Sequence, residues 1–279
     1  RFVDDDGFIR LQPVGGFDPR VLVAQRVLVH PRDGDPIPGA LQPGTKPTHL
    51  LGPGESKEIK LDDLFVDTGL PADQVRERIS IGDMITLERD TVHMGDHVVS
   101  KALDDRLGVY VMIEAVRAAA RGGAEVVAVA TTQEEVGLRG ATTAAYDIEP
   151  DIAIALDVTI AGDIPGMPKD AAVTRLGDGA AIKMFDSSQI PSHALVETLR
   201  AVAEQRNIPH QLEVLPRGGT DAGAIQRSRT GAFTGTISMP CRYVHTVNET
   251  ASVTDIDACV DLLAAFIEQV DLDALRNAL

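Results

Sequence analysis

The sequence is 279 residues long, with 44% apolar and 24% charged residues. That composition excludes a disordered or collagen-like chain and is ample for one large domain or two modest ones. Its 26 basic and 42 acidic residues give a formal net charge of -16, and such a surface repels phosphate backbones and anionic lipid, which argues against nucleic acid and membranes as partners. No stretch reads as a membrane span of about 18 apolar residues, and none as a signal peptide. Two cysteines, Cys241 and Cys259, suit a reducing cytoplasm rather than a disulfide framework.

The chain opens with Arg1 and runs into Phe2-Val3-Asp4-Asp5-Asp6-Gly7-Phe8-Ile9, which reads as the middle of a hairpin around an Asp-Gly turn. A sequence whose beginning is not shown is expected to look like this. Val21-Leu22-Val23 and Arg26 to His30 are strand-like. The Pro/Gly-rich stretch from Pro31 to Pro53 cannot be one long helix. A helix is expected near Pro71 to Arg78, and a turn and strand over Ser80 to Leu87. Residues 1–97 thus read as a small β-barrel-like domain.

From about Val98 the rhythm changes to alternating helix and strand. A helix is expected from Asp105 to Ala120, ending at Gly122-Gly123. Apolar runs predict buried strands at Glu125 to Thr132 and Asp151 to Asp157. Ser192 and Thr254 are positioned to cap helices running to about Gln205 and Asp271, with further strands at Gln211 to Leu215 and Phe233 to Met239. Residues 98–279 therefore read as an α/β domain whose mixed sheet is covered by helices.

Open α/β sheets bind ligands beyond the carboxyl ends of their strands. Asp104 opens a helix after Val98-Val99; Glu134 and Glu135 follow the strand expected to end at Thr132; Asp157 ends the next strand; and His245 lies just past another. Acids beside apolar strands are costly to desolvate unless paired or metal-bound. Several acids with one imidazole suggest a divalent cation, and mixed oxygen and nitrogen ligands favour Zn, Co or Mn over Ca. Taken singly, each acid is more often a turn, loop or helix-cap residue, and His245 more often a packed or surface one. His93 and His97 are four apart, but Gly95 between them favours a loop.

Five ordered motifs carry a resemblance. Ser100-Lys101-Ala102-Leu103-Asp104-Asp105-Arg106-Leu107-Gly108, Thr132-Gln133-Glu134-Glu135-Val136-Gly137 and Ala155-Leu156-Asp157-Val158-Thr159 come first, the last followed by Gly162-Asp163-Ile164-Pro165-Gly166. Gly218-Gly219-Thr220-Asp221-Ala222 and Ile237 to His245 complete the set. Together they resemble the glutamyl/deblocking aminopeptidase family, dinuclear-metal exopeptidases also described as cellulase M-like. The resemblance extends over essentially the whole chain.

It implies a zinc-exopeptidase-like catalytic domain over 98–279, with its N-terminal part missing from this chain. Residues 1–97 would then serve oligomerisation and substrate access. Asp104 would bridge two divalent ions, Glu135 and His245 completing one site and Asp157 the other. That second site lacks a histidine that the family draws from a His-x-Asp segment absent here. Glu134 would be the general base acting on a metal-bridged water, releasing N-terminal residues from peptide substrates. Asp221 and Arg242 are candidates for substrate contacts, although a cap role for Asp221 and a local ion pair for Arg242 are equally open. The resemblance also implies a homo-oligomer, a dimer or a dodecameric tetrahedral particle. Two other readings stand beside it: a non-catalytic assembly subunit of the same fold, and a two-carboxylate glycoside hydrolase, for which such a pair must flank one bond about 5–9 Å apart.

Overall fold

The structure is a computed structural model that describes residues 1–55, 58–119 and 124–277. Its contacts divide the chain into two units, Arg1–Asp90 with His245–Val247, and Thr91–Val244 with Asn248–Leu279.

In the first unit, β1 (Phe2–Val3) and β2 (Ile9–Arg10) form the expected hairpin. Asp4 Oδ1 accepts from the Asp6 and Phe8 amides at 3.1 and 2.8 Å, closing a turn in which Gly7 sits at φ +92°, a conformation natural to glycine. The strand expected at Val21-Leu22-Val23 is instead a one-turn helix, α1 (Pro19–Leu22). Pro19 pre-sets the helical φ, and Asp18 accepts from the Arg20 amide at 2.9 Å; these start signals outweigh the β-branched residues.

β3 (Gln25–His30), β4 (Ile37–Pro43), β5 (Leu64–Asp67), α2 (Ala72–Arg78) and β6 (Met84–Leu87) complete this unit. The sheet curls as an open half-barrel in the order β1-β2-β5-β4-β3-β6, antiparallel throughout. Alternate residues turn inward, so Val27, Val29, Ile37, Leu41, Leu64 and Val66 form a core with Val75 and Ile79 around α2.

The second unit contains β7 (Val92–Met94), β8 (His97–Ser100), α3 (Leu103–Ala118), α4 (Arg139–Ile148), β9 (Ile152–Ile160) and β10 (Ala180–Phe185). It continues with α5 (His193–Arg206), β11 (His210–Val214), α6 (Asp221–Ile225), β12 (Phe233–Arg242), β13 (Glu249–Ser252), α7 (Val253–Gln269) and α8 (Leu272–Asn277). The sheet runs β11-β10-β12-β13-β8-β7, with β9 on the other side of β12. β9 is parallel to β12 and β10 to β11, while β10 and β13 are antiparallel to β12. Leu107 and Val111 of α3, Leu195 and Leu199 of α5, and Cys259 and Leu262 of α7 pack with Ile182, Ile237 and Met239 of the sheet in one apolar core.

Two expectations change here. Glu125 to Thr132 carries no strand; Val126 and Val127 are exposed. A β-branched run has the propensity, but a strand also needs a neighbour for its ladder, and none of the described strands pairs with it. The single helix expected to Asp271 is two, since α7 stops at Gln269 and α8 begins at Leu272. The glycine stop expected at Gly122-Gly123 lies outside the described residues. Among the described residues, no helix is long and apolar enough to cross a membrane.

Candidate metal centre

The site begins where β8 passes into α3. Asp104 (φ -78°, ψ 105°) and Asp105 (φ -121°, ψ 55°) do not have helical dihedrals, and the peptide joining them is cis. The Asp104 amide donates to Glu249 Oε2 at 3.2 Å, and the Gly108 amide donates to Asp105 Oδ1 at 2.9 Å. A Cβ on Gly108 would stand 2.2 Å from Asp105 Oδ2. Glycine is therefore kept inside this helix, despite its low helix propensity, by the close approach of a carboxylate.

Asp157 comes from the middle of β9, beside Ser238 of β12. Carboxylate oxygens of Asp104, Asp105 and Asp157 lie within 4.8 Å of one another. Of the other expected ligands, Glu135 lies in the same unit as this cluster, and His245 falls in the first unit. Glu134 and Glu135 occupy a 3-10 turn, Glu134–Val136, bounded by Gln133 at φ +60° and Gly137 at φ +123°. Glu134 is half-buried, Glu135 is exposed, and the charge of Glu134 acts on both Asp105 and Asp157.

Burial dominates the electrostatics. Desolvation pushes the Asp105 carboxyl up to about 8; the charges of Asp104, Glu134 and Asp221 push the same way, and only the Gly108 amide opposes. Asp157 is raised well above the carboxylate range, first by burial and then by Asp105, Asp104 and Glu134. Carboxylates gathered in this way are held either by protons or by a cation. A converging set of carboxylate oxygens fits a divalent metal ion.

The remaining expected residues divide. Asp221, opening α6, has Oδ2 fixed by the Thr131 hydroxyl at 2.6 Å, while its buried Oδ1 has no hydrogen-bond partner. Burial raises its carboxyl, against the Thr131 bond. Arg242 is engaged by Asp163: Nε donates to Oδ1 at 2.9 Å and a terminal nitrogen donates to Oδ2. That pair holds the Asp163 carboxyl below its usual range. His93 and His97 sit on the paired strands β7 and β8 and join no metal-competent group among the described residues. Cys241 and Cys259 are buried free thiols whose pKa values burial pushes up.

Sequence reasoning missed Asp105 and Glu249. The signal for the first was the Asp-Asp pair followed by glycine three residues on; nothing local marked the second. A cavity of about 1330 Å³ lined by Glu149, Asp151, His193, Arg229 and Phe233 includes none of the clustered carboxylates.

A half-buried carboxylate cluster in a helix-covered mixed sheet is the kind of centre that metal-dependent hydrolases build. Residues 1–262 match the model of the M42 glutamyl aminopeptidase family, and the chain belongs to that family of metal-dependent aminopeptidases. A lysyl aminopeptidase from Pyrococcus furiosus is 33% identical over 276 residues, 96% of this chain and 77% of that protein. Aminopeptidase APDkam598 from the archaeon Desulfurococcus kamchatkensis superposes with a TM-score of 0.93 at 40% identity, over 99% of this chain and 77% of that one. The Pyrococcus horikoshii TET1 peptidase, described as assembling into a tetrahedron or a large octahedral shell, is similar with a TM-score of 0.80 at 30% identity, over 96% of this chain and 79% of that one.

Proposed function

We propose that this chain removes N-terminal residues from peptides at a centre of two divalent ions, with Asp104 shared between them. Glu135 and His245 would complete one site and Asp157 would hold the other. The observation that carries the reading is the convergence of Asp104, Asp105 and Asp157 within 4.8 Å. Asp105 joins this set as an additional ligand or as the residue that aims its neighbour. Zn, Co and Mn are the fitting metals.

Bound dications would supply Lewis-acid polarisation of the scissile carbonyl and lower the pKa of water. The chain's own residues do the rest. Glu134, whose charge acts on Asp105 and Asp157 and which is not in their ligand group, takes the proton of the attacking water on its carboxylate and returns it to the leaving amine. Asp221, oriented by Thr131, supports recognition of the substrate's free amine. Arg242 acts on the substrate side through Asp163, to which it is tied.

The β-rich unit is proposed for oligomerisation and substrate access, and the chain is proposed to assemble as a dimer or a dodecameric particle. The self-assembly of the TET1 peptidase supports this. Two free thiols keep the cytoplasm as the expected compartment. The glycosidase reading has no observation in its favour, because Glu134 and Glu135 share one tight turn, a poor frame for two acids flanking a bond.

Replacing Glu134 with Gln tests the assignment. Hydrolysis of aminoacyl anilides should fall by about 10² to 10⁴ in kcat with metal content unchanged. Near-normal turnover would remove Glu134 as the base, and loss of bound metal would make it a ligand instead.

A further inference from the structure

One buried face of the second unit's sheet is polar. Along β12, Ile237, Met239 and Cys241 belong to the apolar core, whereas Thr234, Thr236 and Ser238 alternate with them and are just as fully buried. Lys183 of β10 and Glu213 of β11 are register partners, each completely enclosed, and Lys183 Nζ donates to Glu213 Oε1 at 2.7 Å. The same oxygen accepts from Thr159 Oγ1 at 2.5 Å. Thr159 lies two residues beyond Asp157 on β9, so the two side chains leave the strand on the same face. On its other side Lys183 stands 3.9 Å from Asp186 Oδ2, an oxygen that accepts from the Thr220 hydroxyl at 3.3 Å. Thr220 immediately precedes Asp221.

Stability does not account for so deep an ion pair, because desolvation offsets the attraction and an apolar replacement of similar volume is often neutral or stabilising. Its location does. Asp105, Asp104 and Glu134 all act on Asp157 as negative charges, and Lys183 is the cation acting against them. The three partners span β9, β10 and β11, the strand of the candidate ligand included. Groups that hold a metal ligand from behind set its orientation and typically matter about 10- to 100-fold in metal affinity.

We propose that Thr159, Glu213 and Lys183 are positioning residues that fix β9 so that the Asp157 carboxylate is presented to a divalent cation. None of them contacts substrate; they act through Asp157. The proposal rests on the assignment of Asp157 as a ligand.

The test titrates Co²⁺ alone into chelator-treated protein, reading affinity by equilibrium dialysis and site geometry by the visible absorption of bound cobalt. Thr159→Val removes the hydroxyl at nearly constant volume and should weaken Co²⁺ binding by about 10- to 100-fold with an altered spectrum. Thr159→Ser keeps the hydroxyl and should restore both. The double change Lys183→Met with Glu213→Leu removes the ion pair as a unit, leaves Asp186 to its amide and hydroxyl donors, and should show the same loss of affinity. Wild-type affinity and spectrum in Thr159→Val, or equal losses in Thr159→Val and Thr159→Ser, would overturn the proposal. Should the double variant not fold, the two Thr159 variants decide. Wild-type protein that takes up no Co²⁺ would defeat the metal assignment itself, an outcome distinct from failure of the positioning role.

Discussion

Raising the pH of the metal-free protein from 5 to 8 should destabilise it progressively, and a bound dication should abolish that sensitivity. The source is Asp105, whose carboxyl is pushed up to about 8 from an ordinary 3.8. Between those limits the folded state holds a proton that the unfolded chain has released. Stability from this group is therefore fully present below pH 3.8 and is lost as pH rises through about 8. Each pH unit in the window costs about 1.4 kcal/mol per proton, so three units amount to about 4 kcal/mol, a large share of the roughly 5–15 kcal/mol that holds a domain folded. Asp157 is shifted in the same direction and adds to the slope. Asp163, lowered by Arg242, contributes in the opposite sense, but only as pH falls below the carboxylate range. Urea unfolding of chelator-treated protein at pH 5, 6, 7 and 8, repeated with saturating Zn²⁺ or Co²⁺, measures both slopes. A metal-free stability that stays level or climbs across this range would refute the picture of a proton-or-cation cluster.

Two more outcomes follow from the packing. Gly108→Ala should cut metal affinity and activity by 10-fold or more although alanine favours a helix by about 1 kcal/mol, because the new methyl would meet Asp105 Oδ2 at 2.2 Å; dialysis with Co²⁺ checks it, and unchanged binding would mean that Asp105 moves freely. Cys241 and Cys259, both buried with raised thiol pKa values, should not react with a thiol reagent in the folded protein and should both react in denaturant, read by absorbance.

The ligand candidates were legible because each stands beside an element with a strong local signature. Asp157 stands at the end of a run of β-branched and small apolar residues that reads as a strand, and Asp104 opens a helix whose start is marked by its acids. What stayed hidden depends on contacts between distant segments. Asp105 looked like a helix cap until Gly108 proved to be pressed against its carboxylate. Glu213 sits in a strand expected from the sequence and Lys183 in one, β10, that was not, and their pairing across β10 and β11 is visible only once the register is known. The Val-rich run after Glu125 shows the converse error, since propensity is local but a ladder requires a second strand. At Val21, a proline and an aspartate placed before the run decided for helix.

Asp104 and Asp157 are 53 residues apart along the chain (157 - 104), and Asp105 is almost as far from Asp157. A dication gripped by these side chains would act as a clasp closing a long loop. Tying such a loop removes freedom chiefly from the unfolded chain, and the gain grows only slowly with the length enclosed. Loading the ion would then coincide with completing the fold, so a chain too disordered to hydrolyse a peptide would also be unable to retain its catalyst.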